Sequence, residues 1–97
     1  MVVIEIKHKG ATPSLDKIVG QQLAIGRITD ALQKSGIKSL AVYGEYDGEY
    51  GDIYASECKV KLIRYNYKWC EIHKEYTVKQ MIDGFLKKHL PEYLTNN

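Results

Sequence analysis

The chain holds little cysteine and little proline, two of each in 97 residues. Cys58 and Cys70 form no C-x-x-C pair and stand at no metal-ligand spacing from His8, His73 or His89. No zinc-site pattern or thiol-exchange motif is therefore present, and reduced thiols in a cytoplasmic protein are expected. Long apolar runs are missing too. Val2–Ile6 is far too short for a membrane span or a secretory signal, and Glu5 interrupts it. There is no phosphate-cradling glycine motif, and no His stands close enough in sequence to a Cys or Ser to suggest an activated nucleophile. Charge of one sign does not dominate. A net charge of +2 permits contact with nucleic acid without arguing for it. No linker or low-complexity segment divides the chain.

What remains is ordinary for one folded domain over residues 1–97, with 44% hydrophobic and 27% charged residues. Val2–His8 reads as a first strand ending at Gly10. Thr12-Pro13 reads as a helix start, with Ser14 as an alternative cap. Leu15, Ile18, Val19, Leu23, Ile25, Ile28 and Leu32 give that helix near-helical spacing, and Ser35-Gly36 is its stop. A second strand is expected over Lys38–Tyr43, and a right-handed crossover would make it parallel to the first. GEYDGEYGD (Gly44–Asp52) reads as a loop without the ligand spacing of an EF-hand.

A third strand is expected over Ile53–Tyr65, with Cys58, Val60 and Leu62 on one face and Lys59, Lys61 and Ile63 on the other. A short strand follows at Trp69–His73. Thr77–Gln80 is a capping box for a last helix, whose apolar face is Val78, Met81, Ile82, Phe85 and Leu86 and which Pro91 ends or kinks. The order βαβββα predicts a small α/β domain with a sheet of mixed direction.

The chemistry concentrates in the first strand. Alternation puts Val3, Glu5 and Lys7 on one face and Val2, Ile4 and Ile6 on the other. A carboxylate and an ammonium thus project side by side. They suit a metal ligand beside a phosphate-stabilising charge, or equally an ion pair on a solvent-facing strand.

VVIEIKHKG, then the helix with GQQLAIGRITDAL, then KSLAVYG, resembles the core of the PD-(D/E)XK nuclease superfamily. In that core an E-x-K strand is followed by a Gln-bearing helix and a parallel strand. Within it the chain looks most like small resolvase-like and XisH-type proteins, through Gly20-Gln21-Gln22-Leu23, Leu40-Ala41-Val42 and Val60-Lys61-Leu62-Ile63. The resemblance spans Val2 to Ile63 and implies a truncated restriction-endonuclease-like core. It implies Glu5 as ligand to Mg2+ or Mn2+, Lys7 as the group stabilising charge at the scissile phosphate, and Gln21 or Gln22 beside them. The substrate would be nucleic acid, DNA above all, with Lys17 and Arg27 as further phosphate contacts.

The family's motif also carries an Asp upstream of the E-x-K strand, and this sequence begins at Met1 with no room for it. Three readings are open: Glu45, Asp47 or Asp52 as second ligand; a residue from a second subunit or partner; or an inactive site, in a shortened relative of mobile-element or phage type kept as a small interaction or assembly protein. Loss of the upstream elements would leave a sheet edge uncovered, which predicts a homodimer or a partner chain. Tyr43, Tyr46, Tyr50, Tyr54, Tyr65, Tyr67, Tyr76 and Trp69, interleaved with Lys59, Lys61, Arg64 and Lys68, are expected mainly as strand residues with buried rings, and alternatively as a stacking surface for unpaired bases.

Overall fold

A computed structural model describes residues 1–18, 20–48 and 54–95. Its sheet has four strands in the order β1 (Val2–His8), β2 (Leu40–Tyr46), β3 (Lys59–Tyr65) and β4 (Lys68–Glu71). The crossover helix α1 (Gln21–Lys34) makes β1 parallel to β2, and the remaining pairs are antiparallel. Two helices, α2 (Val78–Leu86) and α3 (Leu90–Thr95), close the chain. The architecture is the expected mixed α/β sheet in βαβββα order, with one short helix added. No helix among the described residues is long and apolar enough to cross a membrane.

The helices lie on opposite faces. Leu40, Val42, Val60, Ile63, Met81 and Leu90 are fully buried between the sheet and the α2–α3 pair. The α1 face is built differently. Gly26 and Thr29 are the buried residues of α1, while Leu23 and Ile28 of the expected apolar stripe are 40% and 54% exposed. A small residue is needed at position 26, where a Cβ would stand 3.0 Å from the Trp69 ring. Polar partners hold the rest of this face. Asp30 accepts from Arg64, and the Gln33 side chain accepts from the Ser39 amide.

Several boundaries depart from expectation, the last short strand among them, which spans Lys68–Glu71 and not Trp69–His73. α1 starts at Gln21 and not at Thr12–Pro13, because the 10–15 stretch gives its amide hydrogens to carboxylates of the sheet and forms only a 3-10 turn at Leu15–Lys17. β2 runs on through Gly44-Glu45-Tyr46, which sequence assigned to a loop. Pro91 sits in the first turn of α3, where its missing N–H costs little, rather than ending a helix there. β3 begins at Lys59, after a 3-10 turn at Ala55–Glu57. The expected strand start at Ile53, the helix position Val19, Tyr50 and the candidate ligand Asp52 lie outside the described residues.

The β2–β3 register slips by one residue between Tyr43 and Gly44. Such a bulge breaks strict alternation on one strand. Val60 and Ile63 therefore share the α2-side core, while Leu62 stands opposite Tyr43 on the other face. The grouping of Cys58, Val60 and Leu62 expected from period two fails for this reason.

Both long helices stop by the same device. After α1, Ile37 N–H donates to Leu32 C=O (2.9 Å) and Gly36 N–H to Gln33 C=O (3.1 Å), with Gly36 at φ +95°. After α2, His89 N–H donates to Gly84 C=O (2.7 Å), with Lys88 at φ +62°. This Schellman geometry suits glycine, and a side chain in the left-handed region costs roughly 1 kcal/mol. Lys88→Gly should accordingly raise stability by about 0.5–1 kcal/mol and Tm by about 2–6 °C, read in a thermal melt. An unchanged or lower Tm would contradict that end geometry.

Candidate nucleic-acid interface

Glu5 and Lys7 share the α1-side face of β1, as alternation requires. Across the ladder Glu5 stands opposite Tyr43 and Lys7 opposite Glu45, and Glu45 in turn stands opposite Lys59 of β3. Tyr43 is fully buried and its hydroxyl makes no hydrogen bond. Burial, then the nearby Glu5 charge, pushes its pKa up to about 12. Glu5 thus borders a neutral phenol, and no hydrogen bond or ion pair joins Glu5 and Lys7 to each other.

Glu45 has a different task. Its two carboxylate oxygens accept from the Gly10 and Thr12 amides, each at 3.1 Å, and so pin the crossover loop to the sheet. Burial pushes its carboxyl up, but the Thr12 side chain nearby, the two amides and the Lys61 charge outweigh burial and hold it below the ordinary value. The amide bonds have sound geometry and we assign them the main effect, since the Thr12 hydroxyl has no partner of its own. A carboxyl held low when folded contributes stability that is complete above its unfolded pKa and is lost as pH falls through the folded one. Glu45→Gln is therefore expected to cost about 1–2 kcal/mol at neutral pH, with the gap to wild type closing below about pH 4, as read from urea midpoints. A gap that persists unchanged in acid would refute this role.

The remaining sequence candidates scatter. Gln22 lies half-buried in the first turn of α1, while Gln21 and Arg27 face solvent and Lys17 is exposed in the crossover. No hydrogen bond ties Gln21 or Gln22 to Glu5 or Lys7. Asp47 is exposed and pairs with Lys9 at 3.4 Å. No group of three or more His, Cys, Asp or Glu able to hold a metal occurs among the described residues. With Glu45 occupied by backbone amides, Glu5 is left without a second carboxylate from these residues. The described donor set does not fit Mg2+ or Mn2+. Burial raises the pKa of both Cys58 and Cys70, which removes them as ready thiolate nucleophiles.

Most of the aromatic residues are packed. Tyr76 stacks on Tyr93, Tyr65 meets Phe85 edge-on, and Trp69 is covered by Tyr43, Gly26 and the Arg64 guanidinium. Tyr54 and Tyr67 are exposed, at 72% and 46%.

One grouping was not foreseen. The ladder aligns Lys7, Glu45 and Lys59 across three strands, and the bulge brings Lys61 to the same carboxylate. Neighbouring strands stand about 4.8 Å apart, so Lys7 and Lys59 flank Glu45 in one row, about 10 Å from each other, with Lys61 near the same carboxylate. Beside it runs a groove of about 330 Å3 lined by Thr12, Ser14, Lys61 and His73 together with the carboxylates Glu45 and Glu71. Lys59 and Lys61 were visible in sequence as basic strand residues, but nothing local to them signals that a register slip gathers both at Glu45, across from Lys7. Comparison of the chain with protein-family models, curated proteins and solved structures finds no match in any of the three.

Proposed function

We propose that this chain binds nucleic acid, DNA above all, and that it does so without cutting it. The observation that carries this reading is the row Lys7, Lys59 and Lys61 around a carboxylate whose oxygens are turned to backbone amides. Three ammonium groups at one end of a sheet face offer phosphate oxygens a multiple, sequence-independent contact. Binding would be driven by counterion release and hence be salt-sensitive. The free thiols Cys58 and Cys70 are in keeping with a cytoplasmic setting.

A second reading, metal-dependent phosphodiester cleavage, is favoured by a specific arrangement. Glu5 and Lys7 sit on a strand followed by a Gln-bearing crossover helix and a parallel strand, as in the nuclease core the sequence resembles. It requires a further carboxylate from outside the described residues or from a second molecule.

The test uses the lysines that only the binding reading needs. A Lys59→Ala, Lys61→Ala chain is expected to bind a labelled DNA duplex or single strand more weakly, with the log–log salt slope flattened by about 1.5–2. Fluorescence anisotropy between low and moderate salt measures it. An unchanged slope, or wild-type binding that ignores salt, would refute the proposed surface.

A further inference from the structure

We propose that two copies of this chain pair through their β1 edges, in an antiparallel ladder centred on Ile6, to make one continuous sheet. β1 is the outer strand of the sheet and has only β2 as a partner among the described residues. Leu40 N–H donates to Met1 C=O and Lys9 N–H to Tyr46 C=O, both at 2.9 Å. In a parallel ladder anchored this way, the odd residues Val3, Glu5 and Lys7 turn their backbone groups toward β2. The even residues Val2, Ile4, Ile6 and His8 present theirs outward. Ala11 already donates to the His8 carbonyl, which keeps a second lone pair. A long edge strand with apolar residues is a template for a further strand, and β1 carries neither a proline nor a bulge to prevent it; its two charges favour a partner strand that offers the opposite ones.

Charge selects the occupant and its register. A two-fold axis through the sheet pairs outward residues with outward residues, so the centre falls on Ile4, Glu5 or Ile6. Centring on Glu5 sets Glu5 against Glu5. Centring on Ile4 sets Glu5 against Val3 and Lys7 against Met1, so neither charge meets an opposite one. Centring on Ile6 sets Glu5 against Lys7 of the other copy, twice. These are non-hydrogen-bonded positions, where opposed side chains come closest. The E-x-K strand is self-complementary in this register. The same register lays Ile4, 43% exposed in the single chain, against His8 of the other copy. Pairing of this kind also brings both cationic rows to one side of a single sheet, although the dimer does not depend on nucleic-acid binding.

The test is a charge swap on the full chain, followed by sedimentation equilibrium without nucleic acid. Wild type is expected at twice the 11.1 kDa chain mass. Glu5→Lys and Lys7→Glu each replace two attractive contacts by two repulsive ones and should weaken the dimer by about tenfold or more. The double variant Glu5→Lys, Lys7→Glu restores opposite charges and should restore the dimer. Ile4→Pro removes an outward N–H that the β1–β2 ladder does not use, so it should give monomer with an unchanged circular-dichroism spectrum. Wild type that stays at 11.1 kDa to its highest soluble concentration overturns the proposal. So does a folded double swap that remains monomeric, or an Ile4→Pro chain that still dimerises. The swap residues differ from Lys59 and Lys61, so failure here and failure of the binding reading are separately visible.

Discussion

Arg64→Ala is expected to destabilise the fold by about 2–3 kcal/mol. The Arg64 guanidinium is the main polar link between α1 and the sheet. Its Nε donates to Asp30 Oδ1 at 3.0 Å and its Nη2 to Oδ2 at 2.5 Å. It also lies 5.4 Å from the centre of the Trp69 ring. The two side chains are only 17% and 30% exposed. Removing the cation would leave Asp30 ionised and partly buried without its partner, which costs more than the pair itself contributes. Because some solvent reaches Asp30, the loss should fall short of that for a fully buried pair. Arg64→Lys should recover only part of it, since an ammonium can neither fork to both oxygens nor stack flat on the indole. Urea midpoints with an unchanged slope would measure this. A loss under about 0.5 kcal/mol would mean the pair behaves as a surface salt bridge.

Gly44→Val should cost about 3 kcal/mol. A Cβ at position 44 would lie 2.8 Å from Val78 Cγ2, 3.1 Å from Ile6 Cδ1 and 3.3 Å from Cys58 Cβ. These neighbours come from α2, from β1 and from the residue just before β3, so none can yield without disturbing another contact. The position also follows the β2–β3 slip, where the backbone is already bent. Val78→Ala should rescue part of the loss by opening the space, a coupling that a double-mutant cycle would quantify. No rescue would place the strain elsewhere.

Gly44 also marks where sequence reading runs out. It opens a stretch rich in Gly, Tyr and acid that looks like a loop, yet β2 passes through it because Val78 needs the room that a glycine leaves. β1 was legible because its alternation is local, and its bounds Val2–His8 stand as expected. The α2 start was legible for the same reason. Thr77 and Gln80 cap each other within one turn, and both reciprocal bonds form. The α1 start was not, because Glu45 and Glu71, far along the chain, take the amides that a local cap would have used.

The candidate site divides along the same line. The shared face of Glu5 and Lys7 follows from spacing alone. The engagement of Glu45 and the arrival of Lys61 depend on loop closure and on a register slip, and no residue near either position announces them.

Binding without cleavage is tested most directly by incubating end-labelled duplex and single-stranded DNA with the chain in Mg2+, in Mn2+ and in EDTA, scoring complex and strand scission in the same samples. The expected result is a salt-sensitive complex in all three conditions, no tighter in either metal than in EDTA, with the strands intact. Metal-dependent scission that disappears in Glu5→Gln would contradict it and would establish Glu5 as a ligand in a nuclease site.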